Sequence, residues 1–173
     1  EAEFTTSITE TVATATEFVF YATADEGYGS QGLHANVSAG EAQVAQVADG
    51  EGVYKITATG FTAEFTITVS AEVNQYVLTI DPNGGMHNGN ASTYTIAKNF
   101  GETAEVIDPT REGYTFKAWT RKTNVGELEG TTFTFGAGNE TITATWTANR
   151  YKVVLNQNIA AGTTGTVETN VAD

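Results

Sequence analysis

The 173 residues contain no cysteine, which excludes a disulfide framework, a thiolate metal site and thiol chemistry. Small secreted eukaryotic domains commonly rely on disulfides, so this absence favours a bacterial extracellular protein. Basic side chains are nearly as scarce. Eight Lys and Arg stand against 21 Asp and Glu, for a formal charge of −13. The deficit is uneven: residues 1–75 hold one base, Lys55, against 11 acids, and residues 76–173 hold 7 bases against 10 acids. Phosphate binding needs clustered Lys and Arg, so nucleic acid and anionic membrane surfaces are disfavoured as partners. No apolar run approaches the ~20 residues that span a bilayer, and no membrane insertion is expected. Helical periodicity is missing as well. Apolar residues alternate instead of recurring every 3.6 positions, and threonine is abundant, which predicts an all-β chain.

The charge step near residue 75 divides the chain into two units. The first four residues, EAEF, resemble the remnant of a yeast secretion leader and cloning site, and are set aside from the fold. Within residues 5–75, strands are predicted at 17–24 (EFVFYATA), 53–59 (VYKITAT) and 61–69 (FTAEFTITV). In the last of these, Phe61, Ala63, Phe65, Ile67 and Val69 share one face, and Thr59-Gly60 reads as a hairpin turn before it. Val44 and Val47 do not alternate cleanly, so their segment is a short or edge strand. Four to six such strands make a small sandwich or barrel, weakly similar to bacterial Ig-like domains in its closing DGEGVYKITATGFTAEFTITV. Residues 71–75 (AEVNQ) form a linker too short and too poor in Gly and Pro for a flexible tether, so a restricted angle between units is expected.

In the second unit Tyr76, Leu78 and Ile80 alternate, and the Pro and Gly of DPNGG stop the strand. A second strand is predicted at 93–98. Residues 101–113 (GETAEVIDPTREG) then cross the sheet. Tyr114, Phe116 and Ala118 give a third buried face, and Ile142, Ala144 and Trp146 a fourth. Two strand pairs joined by a crossing segment describe a β-grasp plan. YKVVLNQNIA at 151–160 then repeats YVLTIDPNGG at an offset of 75 residues, with Tyr151 on Tyr76, Val153 on Leu78 and Leu155 on Ile80. The order YVLTIDPNGG, DPTREGYTFKAWT, TITATWTANRY over residues 76–150 resembles the Listeria–Bacteroides repeat, the B-repeat of internalins and of many extracellular bacterial proteins. That resemblance implies a β-grasp fold and a non-catalytic module. Residues 151–173 then read as the opening strands of a further repeat, expected to dock on the preceding unit, to self-associate through an unpaired strand, or to fray.

Few residues suggest chemistry. Trp119 and Trp146 would suit a sugar platform, but their bulk and their places in FKAW and TATW assign them to the core. Tyr28, in the polar stretch DEGYGSQG, is the best binding candidate. With Tyr21 on the preceding strand it would form a stacking surface, with Asp25, Glu26 and Gln31 bonding sugar hydroxyls. Asp25/Glu26, Asp49/Glu51 and Asp81/Asn83 are turn acids of the kind that bind Ca²⁺, yet none has EF-hand spacing; solvated acids, with Asp81 and Asp108 bonding their own turns, are the simpler reading. No cofactor is expected, Ca²⁺ being the one metal these acids leave open. His34 and His87 lack neighbouring ligands and read as surface residues. Sequons stand at Asn36, Asn90 and Asn139. No nucleophile or metalloprotease motif occurs, so no catalytic residue is assigned.

The sequence therefore predicts part of a bacterial surface or secreted multi-modular protein, acting in spacing, presentation and adhesion. Its partner would be an extracellular glycan or a host or cell-surface protein. The alternative is a carbohydrate-binding accessory region of a secreted polysaccharide-degrading enzyme.

Overall fold

The computed structural model describes residues 4–7 (backbone only), 17–49 and 52–152. The described chain is all strand and turn, with no α-helix. Hence no helix among these residues is long and apolar enough to cross a membrane.

The first unit stacks two three-stranded antiparallel sheets. One has the order β1 (Phe4–Ser7), β6 (Thr66–Val73), β3 (Tyr28–Ala39); the other β2 (Glu17–Thr23), β5 (Val53–Thr59), β4 (Gln43–Ala48). Between them Leu33, Ile56, Ala58, Ile67, Val69 and Ala71 are buried, with Phe18, Phe20 and Phe65 packed around. Strand β1 starts at Phe4, in register with Ala71, so the last of the four residues set aside belongs to a sheet.

Three expectations are corrected here. Residues 60–65 are not strand. Strand β5 already pairs on one edge with β2 and on the other with β4, so the next strand has no free edge there and must change sheets. The chain crosses over instead, with Phe61 stacked on Phe65 at 4.8 Å; Ile67 and Val69 still face the core as their alternation predicts. Next, the polar stretch around Tyr28, which its glycines mark as a loop, holds the start of β3. Its register jumps from Tyr28↔Val73 to Leu33↔Ala71, a wide bulge made by Gly29 and Gly32 at positive φ. A side chain on Gly32 would meet the Tyr54 hydroxyl at 2.9 Å. Finally, the 71–75 linker reduces to Asn74 alone, between β6 and β7 (Gln75–Asp81).

Segment 43–48 is an edge strand, as its mixed pattern suggests. Gln46 turns its carboxamide across the sandwich, accepting from the Ala35 amide at 2.8 Å and donating to the Leu33 carbonyl. One side chain thus satisfies the outer edge of β3 as a neighbouring strand would.

The second unit has a four-stranded sheet of order β10 (Tyr114–Arg121), β13 (Glu140–Ala148), β7, β8 (Tyr94–Asn99). Its outer pairs are antiparallel and its central pair, β13 with β7, is parallel. A small sheet of β11 (Glu127–Glu129), β12 (Thr132–Thr134) and β9 (Thr103–Glu105) lies in the connections, so the crossing segment carries a strand of its own. Leu78, Ile80, Val106, Phe133, Phe135 and Ile142 form the core. The face predicted for β10 is altered by a bulge between Phe116 and Ala118. The extra residue, Lys117, breaks the alternation: Ala118 faces solvent, and Trp119 turns onto the core.

Candidate functional site: the joint at Asn74

Where the first unit ends and the second begins, one residue is bonded in both directions. The Asn74 amide donates to the Gly27 carbonyl at 2.7 Å, and the Asn74 carbonyl accepts from the Phe100 amide at 2.9 Å. Its side-chain Oδ1 accepts from the Ser30 amide at 2.7 Å, and Nδ2 donates to the Tyr76 hydroxyl at 3.2 Å. Gly27 and Ser30 belong to the first unit, Tyr76 and Phe100 to the second. A side-chain amide between two strand ends allows this, because it offers an acceptor oxygen to one unit and a donor nitrogen to the other.

Aromatic packing closes the same place. Tyr28 meets Phe100 edge-on, with ring centroids 6.1 Å apart. Gly27 lies directly under Phe100: at φ +85°, a side chain added there would fall 2.2 Å from the ring. Glycine is therefore required at position 27 for its backbone and for its lack of bulk. Tyr28 is half-buried and also packs on the sandwich core.

The other nominated residues lie apart from this. Tyr21 is 58 % exposed on β2, in the sheet opposite that of Tyr28. The two tyrosines thus stand on different sheets of the sandwich. Asp25 and Glu26 are exposed in the turn before β3, where the Asp25 carbonyl accepts from the Tyr28 amide at 3.1 Å, and Gln31 is exposed in the bulge. Glu51 lies outside the described residues, as do residues 153–173 with the strand pair expected there. Among the described residues no three His, Asp or Glu side chains converge on a metal-sized space. Asp81 accepts from the Asn83 amide at 2.8 Å, bonding its own turn. Trp146 is half-buried, its indole N–H shared between the Pro82 and Asn83 carbonyls at 3.2 and 3.0 Å, with Gly85 under its ring. Asn36 and Asn90 are exposed, while the Asn139 side chain accepts from the Val77 amide at 2.8 Å.

Two buried polar groups went unforeseen. His87 is not a surface histidine but 1 % exposed. Its Nδ1 lies 2.6 Å from the Tyr94 hydroxyl, and its ring meets Trp119 at 5.5 Å. Among the described residues neither Nε2 nor the Trp119 indole N–H has a hydrogen-bond partner. Burial lowers the imidazole pKa, opposed by the Ile107 backbone. Glu140, 2 % exposed, takes into Oε1 the amides of Lys122, Thr123 and Thr141 and the Thr123 hydroxyl. Oε2 pairs with Arg121 at 3.2 Å. Burial alone would raise this carboxyl, but the donated hydrogen bonds outweigh it and hold the pKa below the usual range. The contacts tie the 122–126 turn to β13.

In this unit DPNGG stops the first strand, and PTREGY leads into β10. Residues 76–150 match the family model of the divergent InlB B-repeat domain. The match covers less than half of the chain and coincides with the stretch that carries the sequence resemblance. Such repeat domains are typical of bacterial surface proteins and are generally non-catalytic. No curated protein and no solved structure matches the chain. The B-repeat unit thus begins one residue after β7 does, immediately beyond Asn74 and Gln75.

Proposed function

We propose that this chain is a non-catalytic spacer of a bacterial surface or secreted multi-modular protein, in which a sandwich and a β-grasp B-repeat are held in one orientation to present what they carry. The observation that supports it is the joint: a single residue, Asn74, separates the two units and hydrogen-bonds to both. A flexible tether would need a solvated run of residues, and none is there. The order β10-β13-β7-β8, with its parallel central pair, favours the β-grasp reading of the second unit. Adhesion, where it occurs, uses exposed faces of the modules.

The rival reading is a carbohydrate-binding region centred on Tyr21 and Tyr28. The test is retention of the chain by a panel of soluble and insoluble polysaccharides, with and without Ca²⁺. The spacer reading expects no retention. Retention abolished by both Tyr21→Ala and Tyr28→Ala, with the fold intact, would replace it by the carbohydrate reading.

A further inference from the structure

The far end of the B-repeat carries the same joint a second time. Glu26-Gly27-Tyr28 opens β3, and Glu112-Gly113-Tyr114 opens β10. Tyr28 pairs with Val73, the residue before Asn74; Tyr114 pairs with Ala148, the residue before Asn149. The Tyr28 amide donates to Asp25 at 3.1 Å, and the Tyr114 amide to Arg111 at 3.1 Å. Asn149 then engages the same three groups that Asn74 does, its amide, Oδ1 and Nδ2. Its amide donates to the Gly113 carbonyl at 2.9 Å. Its Oδ1 accepts from the Thr115 hydroxyl at 2.6 Å, where that of Asn74 accepts from the Ser30 backbone amide at 2.7 Å. Its Nδ2 donates to the Tyr151 hydroxyl at 3.2 Å, the separation found between Asn74 and Tyr76.

Besides the donor to Oδ1, a backbone amide at the first end and a hydroxyl at the second, the two ends differ in their occupant. At the first, Phe100 covers Gly27 and Tyr28 and donates its amide to the Asn74 carbonyl. At the second, a side chain placed on Gly113 (φ +76°) would meet nothing within 4 Å among the described residues. Tyr114 is 38 % and Tyr151 75 % exposed. Among the described residues the Asn149 carbonyl accepts no hydrogen bond. Arg111 lies 3.9 Å over one face of Tyr114, which leaves the ring open to the edge-on approach that Phe100 makes to Tyr28.

We propose that Gly113, Tyr114, Asn149 and Tyr151 form a docking socket for a second B-repeat module joined in tandem, which fills it with the aromatic side chain equivalent to Phe100. The occupant is specified by the first joint, where such a module already sits, and by the sequence YKVVL from Tyr151, which repeats YVLTI from Tyr76. The inference rests on the spacer reading and adds a rule to it: Gly-Tyr at one strand start and Asn-x-Tyr at the neighbouring strand end together make a reusable joint.

The test is a chain of residues 1–150 followed directly by a second copy of residues 76–150, studied by ¹⁵N relaxation. The socket predicts that the copy shows the same relaxation ratio as the repeat before it. It also predicts that exchange of the Asn149 amide slows at least about tenfold relative to the unextended chain. Phe→Ser at the copy's equivalent of Phe100 abolishes both effects. Gly113→Ala does the same in the extended chain, and in the unextended chain it leaves the resonances of the other residues in place. A folded copy that tumbles independently, or a copy that fails to fold behind an intact first repeat, overturns the socket. If the sandwich and the first repeat also tumble independently in that sample, the spacer reading itself fails.

Discussion

Removing the Phe100 ring should uncouple the two units by an amount that a double-mutant cycle can isolate. Full burial of a Phe side chain is worth about 1.5–3 kcal/mol, and Phe100 is half-buried, so its area contributes on the order of 1 kcal/mol. The edge-on pair with Tyr28 adds about 0.5–1.5 kcal/mol beyond area. Phe100→Ala should therefore cost about 2 kcal/mol. Tyr28→Ala should cost roughly 2–3 kcal/mol, because that ring also packs on the sandwich core. The pair is the only contribution lost twice, so the double variant should be less destabilised than the sum by about 1 kcal/mol. Urea unfolding followed by far-UV circular dichroism gives the three free energies. Tryptophan fluorescence assigns the transition, since both tryptophans, Trp119 and Trp146, lie in the B-repeat. Additivity within about 0.3 kcal/mol would refute the argument, for it would mean that the rings do not act on one another.

The glycine pair gives a second test. Gly27 and Gly113 share positive φ, but only Gly27 faces a ring. Each Ala substitution costs about 1 kcal/mol of backbone strain, and Gly27→Ala adds the displacement of Phe100; thermal unfolding should show the larger loss at position 27, and equal losses would contradict the packing. Acid should act on the B-repeat in two stages. The lowered pKa of His87 means that its contribution is complete above about pH 6.5, its ordinary unfolded value, and is lost as pH falls through the folded value. The lowered pKa of Glu140 gives a contribution complete above about pH 4.3 and lost below, through the folded value. In stability-versus-pH curves His87→Gln should remove the first limb. Glu140→Gln should remove the second, at a cost of about 3 kcal/mol near neutrality from the broken buried pair. An unchanged profile in either variant would count against the assigned group.

Local pattern revealed much of the fold. Strand β5 was legible residue for residue, β7 followed from the alternation of Tyr76, Leu78 and Ile80, and β4 announced itself as an edge by its mixed faces. What stayed hidden depends on partners distant in sequence. Thr59-Gly60 looks like a hairpin turn until both edges of β5 are known to be taken by β2 and β4. Glycines around Tyr28 signal a loop by composition, whereas here they shape a bulge within a strand. Lys117 gives no local sign that it is the extra residue that turns Trp119 inward. His87 reads as a surface residue and Glu140 gives no sign of burial; only the convergence of Tyr94 and Trp119 on one, and of the 121–123 segment on the other, explains their burial. The joint was half legible. The offset of 75 residues aligned Tyr151 with Tyr76; extending it two residues back would have aligned Asn149 with Asn74, and the recurrence of Glu-Gly-Tyr at 26–28 and 112–114 would have supplied their partners.

The most direct test of the account is a set of residual dipolar couplings measured on the whole chain in a dilute aligning medium. If Asn74 and the Phe100–Tyr28 contact hold the units as described, the amides of residues 17–48 and 75–149 fit a single alignment tensor on the structure. Separate tensors of different magnitude for the two sets would contradict it, and with it the claim that this chain is a rigid spacer.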